Sequence, residues 1–294
     1  HRLAGRPLLA HVLQAAHALD PARTVVVHGH GGTDVRSAFA DAGLIWVEQA
    51  EQLGTGHAVT TALPEIPPEA DVLILYGDVP LIAVETLGHR VQAGRGGLAI
   101  LTADAPDPCG YGRVVRGERG EVLRVVEQRD ASPVELELRE INAGFLSAPA
   151  RQLTKWLASV RNHNAQKEYY LTDVVGLAVS DHVAVAAVKA RAWTEVAGVN
   201  SKRELAVLER EVQHREAERL LEAGVTLADP ARVDVRGSLQ CGRDVVVDVN
   251  CLFEGQVRLG DGVRVGPNCV LRNVTIAADT EVLAFSILEN AEVG

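Results

Sequence analysis

The sequence predicts two architectures in one chain: an α/β domain over residues 1–200 and a parallel β-helix over residues 225–294, joined by a helix over 201–224. Three observations carry this. Strand and helix signals alternate through the first part, the hydrophobic period then switches to six, and a charged helix with its own start signal lies between them.

The alternation begins with a helical stripe over Arg6 to Leu19, marked by Leu8, Leu9, Val12, Leu13, Ala16 and Leu19. Thr24 to His28 reads as a β-branched strand, Asp34 to Ala42 as a helix and Leu44 to Val47 as a strand. Gly56 to Leu63 reads as a helix, and Asp71 to Tyr76 as an almost wholly apolar strand. A strand apolar on both faces predicts a parallel, doubly wound sheet covered by helices. Leu98 to Thr102 continues the pattern. Tyr111 to Arg116 and Val122 to Gln128, joined by Gly117-Glu118-Arg119-Gly120, predict a hairpin.

Ser201-Lys202-Arg203-Glu204 is a capping-box signature, with serine taking the N–H of Glu204 and the glutamate reaching back. The helix should run to about Ala223 and connect the two domains. Beyond it, apolar or small residues recur six apart at Val235, Cys241, Val247, Phe253, Leu259, Val265 and Leu271. One five-residue step leads to Ile276, and sixes resume at Val282 and Leu288. Three hexads make one turn of a triangular coil, so Cys251 and Cys269 should stack on successive turns as reduced thiols. None of the four cysteines forms a C-x-x-C pair, and they read as mostly buried small hydrophobes.

The net charge of −10 excludes the basic stripe of a nucleic-acid binder. It permits anionic substrates where a divalent metal offsets their charge. Aromatics make up 4% of the chain, so Val, Leu, Ala and Ile must fill the core. No apolar run approaches the roughly 20 residues of a membrane span, and no leader opens the chain. A cytoplasmic protein is the expectation. The chain contains no Met and stops at Gly294 in mid-pattern, which reads as a piece of a longer protein.

Two segments point to chemistry. Leu75-Tyr76-Gly77-Asp78-Val79-Pro80 ends a buried strand with a glycine and an aspartate. Ligands bind at that edge of open α/β sheets, and a carboxylate there suits Mg²⁺ shared with phosphates. A helix N-cap would explain the same aspartate equally well. Gln49 to Ala58 contains Gly54-Thr55-Gly56 at a helix start, which exposes backbone N–H groups to a planar base or an anion. His28 and His30 in His-Gly-His-Gly-Gly read as a strand-end turn with solvated imidazoles rather than a metal site.

Gln49 to His57, Tyr76 to Leu81, Asp107-Pro108-Cys109-Gly110-Tyr111-Gly112-Arg113, Val126-Glu127 and Glu140 to Gly144 occur in one order. Asn164-Ala165-Gln166, Glu168 to Asp173 and Gly198-Val199-Asn200 follow them. With the hexads, this series resembles the bacterial bifunctional UDP-N-acetylglucosamine pyrophosphorylase / glucosamine-1-phosphate N-acetyltransferase family over essentially the whole chain. The resemblance implies a Rossmann-like nucleotidyltransferase domain followed by a left-handed parallel β-helix of hexapeptide repeats. It implies transfer of a uridylyl group from UTP to N-acetylglucosamine 1-phosphate, giving UDP-N-acetylglucosamine for cell-wall and lipopolysaccharide synthesis. Residue by residue, Gln49 would pair with the uracil edge while Gly54 and Thr55 close around the base. Tyr76 and Gly77 would line nucleotide and sugar, and Asp78 with Asn200 would hold Mg²⁺. Gly112, Glu127 and Asn142 would contact the N-acetylglucosamine moiety, and Thr172 would lie near the sugar phosphate. The family's glycine-rich phosphate loop and lysine would precede His1, leaving only Leu3-Ala4-Gly5-Arg6-Pro7-Leu8 of that region. Acetyl transfer from acetyl-CoA would use turns beyond Gly294, and the parent protein would be a homotrimer. Lys167 departs from the family, which often has a small residue there.

Three other readings compete with this one. A hexose-1-phosphate nucleotidyltransferase with a regulatory or assembly β-helix would share the fold. A non-catalytic assembly subunit would bind nucleotide without pyrophosphate release. A pure acyltransferase would leave so large an α/β domain unexplained.

Overall fold

The computed structural model describes residues 1–29, 31–40, 43–93 and 96–294. In chain order the elements begin with β1 (Arg2–Leu3), β2 (Arg6–Pro7), α1 (Leu8–His17), β3 (Val25–His28) and α2 (Gly32–Ala38). Next come β4 (Ile45–Glu48), α3 (Thr55–Ala62), β5 (Asp71–Ile74), α4 (Val84–Ala93), β6 (Leu98–Asp104) and β7 (Arg113–Arg116). Then follow β8 (Val122–Val126), α5 (Pro133–Leu136), β9 (Glu140–Pro149), α6 (Ala150–Leu157), α7 (Asp173–Ser180) and β10 (Val185–Lys189). The long helix α8 (Lys202–Glu222) precedes eight further strands. The expected helix over 34–42 begins two residues early, and its positions 41 and 42 lie outside the described residues. The helix expected from Arg6 starts at Leu8, because Arg6–Pro7 pairs with Arg2–Leu3 as a short antiparallel ribbon.

The chain divides into two compact units, Val12–Ala197 and His1–His11 with Gly198–Gly294. The first is built on a six-stranded sheet in the order β10-β6-β9-β7-β8, with β5 also paired to β9. This sheet is mixed, which corrects the parallel expectation. β10 and β6 run parallel, but β9 is antiparallel to β5, β6 and β7. Two-sided burial specifies that helices cover both faces; it does not specify strand direction. The strand that carried the expectation, β5, is only partly buried, with Asp71 exposed, Val72 buried and Leu73 and Ile74 half-buried, and it is β6 that is covered on both faces. Leu98 and Ile100 of β6 pack with Leu153, Trp156 and Val174 on one face, while Leu101 and Ala103 pack with Ala15, Leu87 and Phe145 on the other. β3 and β4 form a separate parallel pair. The hairpin of β7 and β8 has Arg113 opposite Val126, and Gly120 turns it at φ 83°.

In the second unit, β12 (Val233–Cys241), β14 (Cys251–Leu259), β16 (Val270–Ile276) and β18 (Ile287–Val293) stack in parallel. The two-residue strands β11 (Thr226–Leu227), β13 (Val246–Val247), β15 (Arg264–Val265) and β17 (Glu281–Val282) stack the same way. Val233 faces Cys251, and the chain returns to each position after 18 residues. The five-residue step appears as a register shift between Glu254 and Arg258, after which the return is 17 residues. The hexad positions Val235, Val247, Phe253, Leu259, Val265, Leu271 and Ile276 are all buried in one core.

The corners of these coils sit in the left-handed region at Asp244, Asn250, Gly255, Gly262, Asn268, Asn273, Asp279, Phe285 and Asn290, with φ between 49° and 72°. Asn, Asp and Gly tolerate that conformation best, and eight of the nine corners carry one of them. Asn250 donates to the Asn268 side chain at 2.9 Å and Asn273 to Asn290 at 3.2 Å, so corners also bond along the stack. Cys251 and Cys269 are buried free thiols that donate to the carbonyls of Gly266 and Leu283. Cys109, by contrast, is exposed and Cys241 half-buried, so burial is not general among the cysteines.

Helix α8 is more than a connector. Ala217 and Leu220 enter the core of the stacked strands. Buried Gln213 takes the Val235 N–H at 2.7 Å and donates to the Val235 carbonyl at 2.9 Å, pairing like a strand with the edge of β12. Glu209 accepts the Ala4 N–H at 2.8 Å, which ties the first residues to this unit. At the helix start, Ser201 accepts from Glu204 N–H as expected, but the Glu204 carboxylate reaches one residue further back, to Asn200 N–H at 2.7 Å. Gln213→Ala would strand both Val235 groups. It should lower stability by about 2–3 kcal/mol in urea unfolding, and a loss under about 0.5 kcal/mol would refute this role.

Candidate active site

The residues singled out from Gln49 to Thr172 all belong to the unit Val12–Ala197, and Asn200 belongs to the other. Gln49 follows β4, and its N–H donates to the His28 carbonyl at 2.8 Å. Its side-chain amide donates to Gly54 O at 3.1 Å and meets His57 Nδ1 at 3.0 Å. These bonds hold the Gln49–Thr55 loop as a closed turn before α3. His28 is half-buried beside Trp46, with ring centres 5.9 Å apart, and Gly32 leaves room for its imidazole. The solvated reading of His28 is therefore corrected, and His30 lies outside the described residues.

The glycines of the loop are dictated by a close approach. Gly54 has φ 107°, and a Cβ there would stand 2.7 Å from Tyr169 O. A Cβ on Gly56 would stand 2.9 Å from the same oxygen, to which the Gly56 N–H donates at 2.7 Å. Tyr169 N–H donates back to Leu53 O at 2.8 Å, and Leu171 N–H to the Thr55 hydroxyl at 3.1 Å. The run Tyr169 to Leu171 is thus laced onto the loop by backbone bonds that leave no space for a side chain.

Tyr76 and Asp78 follow β5. Burial pushes the Tyr76 hydroxyl up to about 12, with Glu127 and Asp78 adding to the rise and a hydrogen bond with Thr55 opposing it. Its ring meets Phe145 edge-on at 6.4 Å. Gly144, at φ 85°, passes so close to the ring that a Cβ would lie 2.7 Å from it. Asp78 is half-buried at the carboxyl end of the strand and Gly77 is exposed beside it. Among the described residues no three His, Cys, Asp or Glu side chains cluster as a metal cage. A carboxylate at that place suits a hard cation such as Mg²⁺, which takes oxygen ligands.

Opposite stand Gly112, Glu127 and Asn142. The Asn142 N–H donates to Gly112 O at 2.8 Å, which fixes β9 beside the start of β7. A Cβ on Gly112 would lie 3.3 Å from Glu127 Oε2. Thr172 donates to Glu127 Oε1 at 2.7 Å. Burial raises the Glu127 carboxyl above its ordinary value; the Thr172 bond lowers it, and Asp130 and Glu168 raise it again. Tyr76, Asn142, Gly144, Leu171 and Thr172 line a cavity of about 10 Å³, enough for one water. The single hydroxyl proton of Thr172 is engaged within the protein, on Glu127 Oε1.

Three groups were missed in the sequence. Tyr170 donates to Asp130 at 3.2 Å, and Asn164 clamps Glu168 through both backbone directions at 2.6 and 3.1 Å. Asp173, at the start of α7, is pushed up to about 6 by burial, with Glu127 and Asp130 adding to it. The unassigned acids of the Glu168 to Asp173 run were the available signal. Lys167 turns the Asn164–Glu168 loop at φ 57°, a conformation that favours Gly or Asn.

Glycine-walled backbone on one side and a carboxylate with an amide on the other suit a ligand with a flat polar part and a hydroxylated part. That arrangement on a mixed α/β sheet defines a nucleotidyltransferase domain. The chain belongs to the MobA-like NTP transferase domain family, whose model matches residues 1–227. It is 53% identical over 294 residues to the "Bifunctional protein GlmU" of Chromobacterium violaceum, covering 100% of this chain and 65% of that one. The proteins of the same name from Nitrosospira multiformis and Paraburkholderia phytofirmans are each 54% identical, over 100% of this chain and 64% and 65% of theirs. The chain thus spans about 65% of the length of the curated relatives it matches.

Two predictions follow from the geometry of this unit. Gly54→Ala should lower the melting temperature and open the loop to proteolysis between Gln49 and Thr55; unchanged melting and cleavage would contradict the close approach. Asp173 binds a proton more tightly folded than unfolded, so its contribution to stability is present below about pH 4 and lost as pH rises through about 6. The stability of Asp173→Asn relative to the parent should therefore grow from pH 4 to pH 7 in chemical unfolding, and a flat difference would reject the shifted carboxyl.

Proposed function

We propose that the chain transfers a uridylyl group from UTP to N-acetylglucosamine 1-phosphate, giving UDP-N-acetylglucosamine and pyrophosphate. The observation that most supports this is the grouping, around one unit's strand ends, of Gln49, Gly54 and Thr55 with Tyr76, Gly112, Glu127 and Asn142. It agrees with identity near 54% to proteins named as bifunctional.

In this reading the Gln49 side-chain carbonyl, whose amide nitrogen is held by Gly54 and His57, accepts from the uracil edge while Gly54 and Thr55 lie against the base. Tyr76 and Gly77 line the path from base to sugar. Glu127 and Asn142 receive the N-acetylglucosamine hydroxyls and amide beside Gly112. A phosphate oxygen of the sugar phosphate attacks the α-phosphorus of UTP in line, the new P–O bond forms, and the bond to the β-phosphate breaks. No protein nucleophile is required, because the attacking oxygen is already anionic. The protein's part is orientation and charge placement. Asp78 is the residue of this unit that we assign to magnesium, on the strength of the family resemblance; Asn200 belongs to the other unit. When bound there, the ion would neutralise phosphate charge.

We further propose that the 18-residue coils belong to a left-handed parallel β-helix of hexapeptide repeats. In the whole protein this part would assemble as a homotrimer and acetylate glucosamine 1-phosphate with acetyl-CoA. No helix among the described residues is long and apolar enough to cross a membrane, and a cytoplasmic location accords with nucleotide substrates.

The test is pyrophosphate release from UTP, N-acetylglucosamine 1-phosphate and Mg²⁺ by the full-length protein. We expect release by the parent and a loss of roughly hundredfold or more in Asp78→Ala. No release by the parent, or equal release by both, would reject the assignment.

A further inference from the structure

We propose that Thr172 is a positioning residue for sugar recognition: by donating to Glu127 Oε1 it fixes the carboxylate and leaves Oε2 as the acceptor for a sugar hydroxyl or amide N–H. This deepens the uridylyltransferase reading above and rests on it.

Four observations carry the inference. The bond is 2.7 Å and joins residues 45 apart in sequence, so it is a product of the fold. Thr172 is 8% exposed, which holds its rotamer by packing. It stands immediately before α7, where a threonine would ordinarily cap the helix, yet its side chain makes no cap bond. Its only proton is committed to the carboxylate instead. Finally, no hydrogen bond to Glu127 Oε2 occurs among the described residues, and both carboxylate oxygens lie 3.3 and 3.4 Å from where a Cβ on Gly112 would stand, so the glycine gives the carboxylate its room. A half-buried carboxylate with one oxygen fixed and the other unmatched is arranged to accept from a ligand.

The surroundings explain why such a hold is needed. Among the described residues, Asp130 and Glu168 act on Glu127, and it acts in turn on Asp173, Tyr76 and Tyr170, all acidic or phenolic. No cation pairs with Glu127 among the described residues. The Thr172 hydroxyl is the protein bond that favours its ionised form. The same Tyr169–Thr172 run is laced to Leu53, Thr55 and Gly56. One segment therefore sets both the loop proposed for the base and the carboxylate proposed for the sugar.

The experiment compares the parent protein with Thr172→Val and Thr172→Ser, each checked for an unchanged melting profile. Thr172→Val should raise KM for N-acetylglucosamine 1-phosphate roughly tenfold while KM for UTP stays within about twofold. Loss of the hydroxyl removes the influence that lowers the Glu127 pKa, so the acid limb of kcat/KM for the sugar phosphate should move to higher pH. Thr172→Ser should restore both. Carbon-13 carboxyl NMR of Glu127 gives a readout independent of turnover, and its midpoint should rise in Thr172→Val alone. Equal rises in both KM values, an unmoved Glu127 midpoint, or failure of serine to restore it would overturn the proposal. Absence of turnover in the parent would count against the uridylyltransferase reading, while the carboxyl titration would still decide whether Thr172 holds Glu127.

Discussion

The candidate site depends on the contact between the Gly54–Gly56 backbone and Tyr169. Two glycines let the main chain of one loop meet the main chain of another with no side chain between them. Three backbone-directed bonds then fix the run that continues into Leu171 and Thr172. Because that run ends on Glu127, the position of a loop after β4 and the orientation of a carboxylate after β8 are set by one constraint. Two of these bonds join backbone groups and carry no rotamer freedom, and the third ends on the Thr55 hydroxyl; together they hold the two walls at a fixed spacing.

The sheet beneath supplies rigidity. β6 is buried along nearly its whole length, and β9 touches β5, β6 and β7. Asn142 and Gly144 lie on β9, and their neighbours Ile141, Ala143 and Phe145 point into the core. Site residues and core residues therefore alternate along a single strand, as the period of two requires. A shift of that strand would move the sugar-side amide and the floor of the Tyr76 ring together.

Much of this was legible in the sequence, for reasons that differ from place to place. The hexads were readable because every sixth residue packs into the same core, and even the five-residue step reappears as a register shift beside Glu254. The Gln49 loop and the Tyr76–Asp78 segment were readable as strand-end loops, because their glycines interrupt the strand and helix patterns on either side. The antiparallel course of β9 was not, since burial on both faces is the same for either direction. Nor was the bond from Thr172 to Glu127, which joins residues distant in sequence and displaces the local cap that Thr172 would otherwise make. The placement of His1–His11 with the stacked strands was hidden for a similar reason: it depends on Glu209 and on the fit of Gly5 against Arg236.

The central claim is that one end of the Val12–Ala197 site reads the base and the other reads the sugar. Calorimetric titration of the full-length protein with UDP and with UDP-N-acetylglucosamine tests it most directly, using Gln49→Ala and Glu127→Ala. The account predicts that Gln49→Ala weakens both ligands alike, whereas Glu127→Ala keeps the UDP affinity and removes the gain contributed by the sugar. Equal weakening of UDP and UDP-N-acetylglucosamine by Glu127→Ala, or no effect of either change, would contradict it.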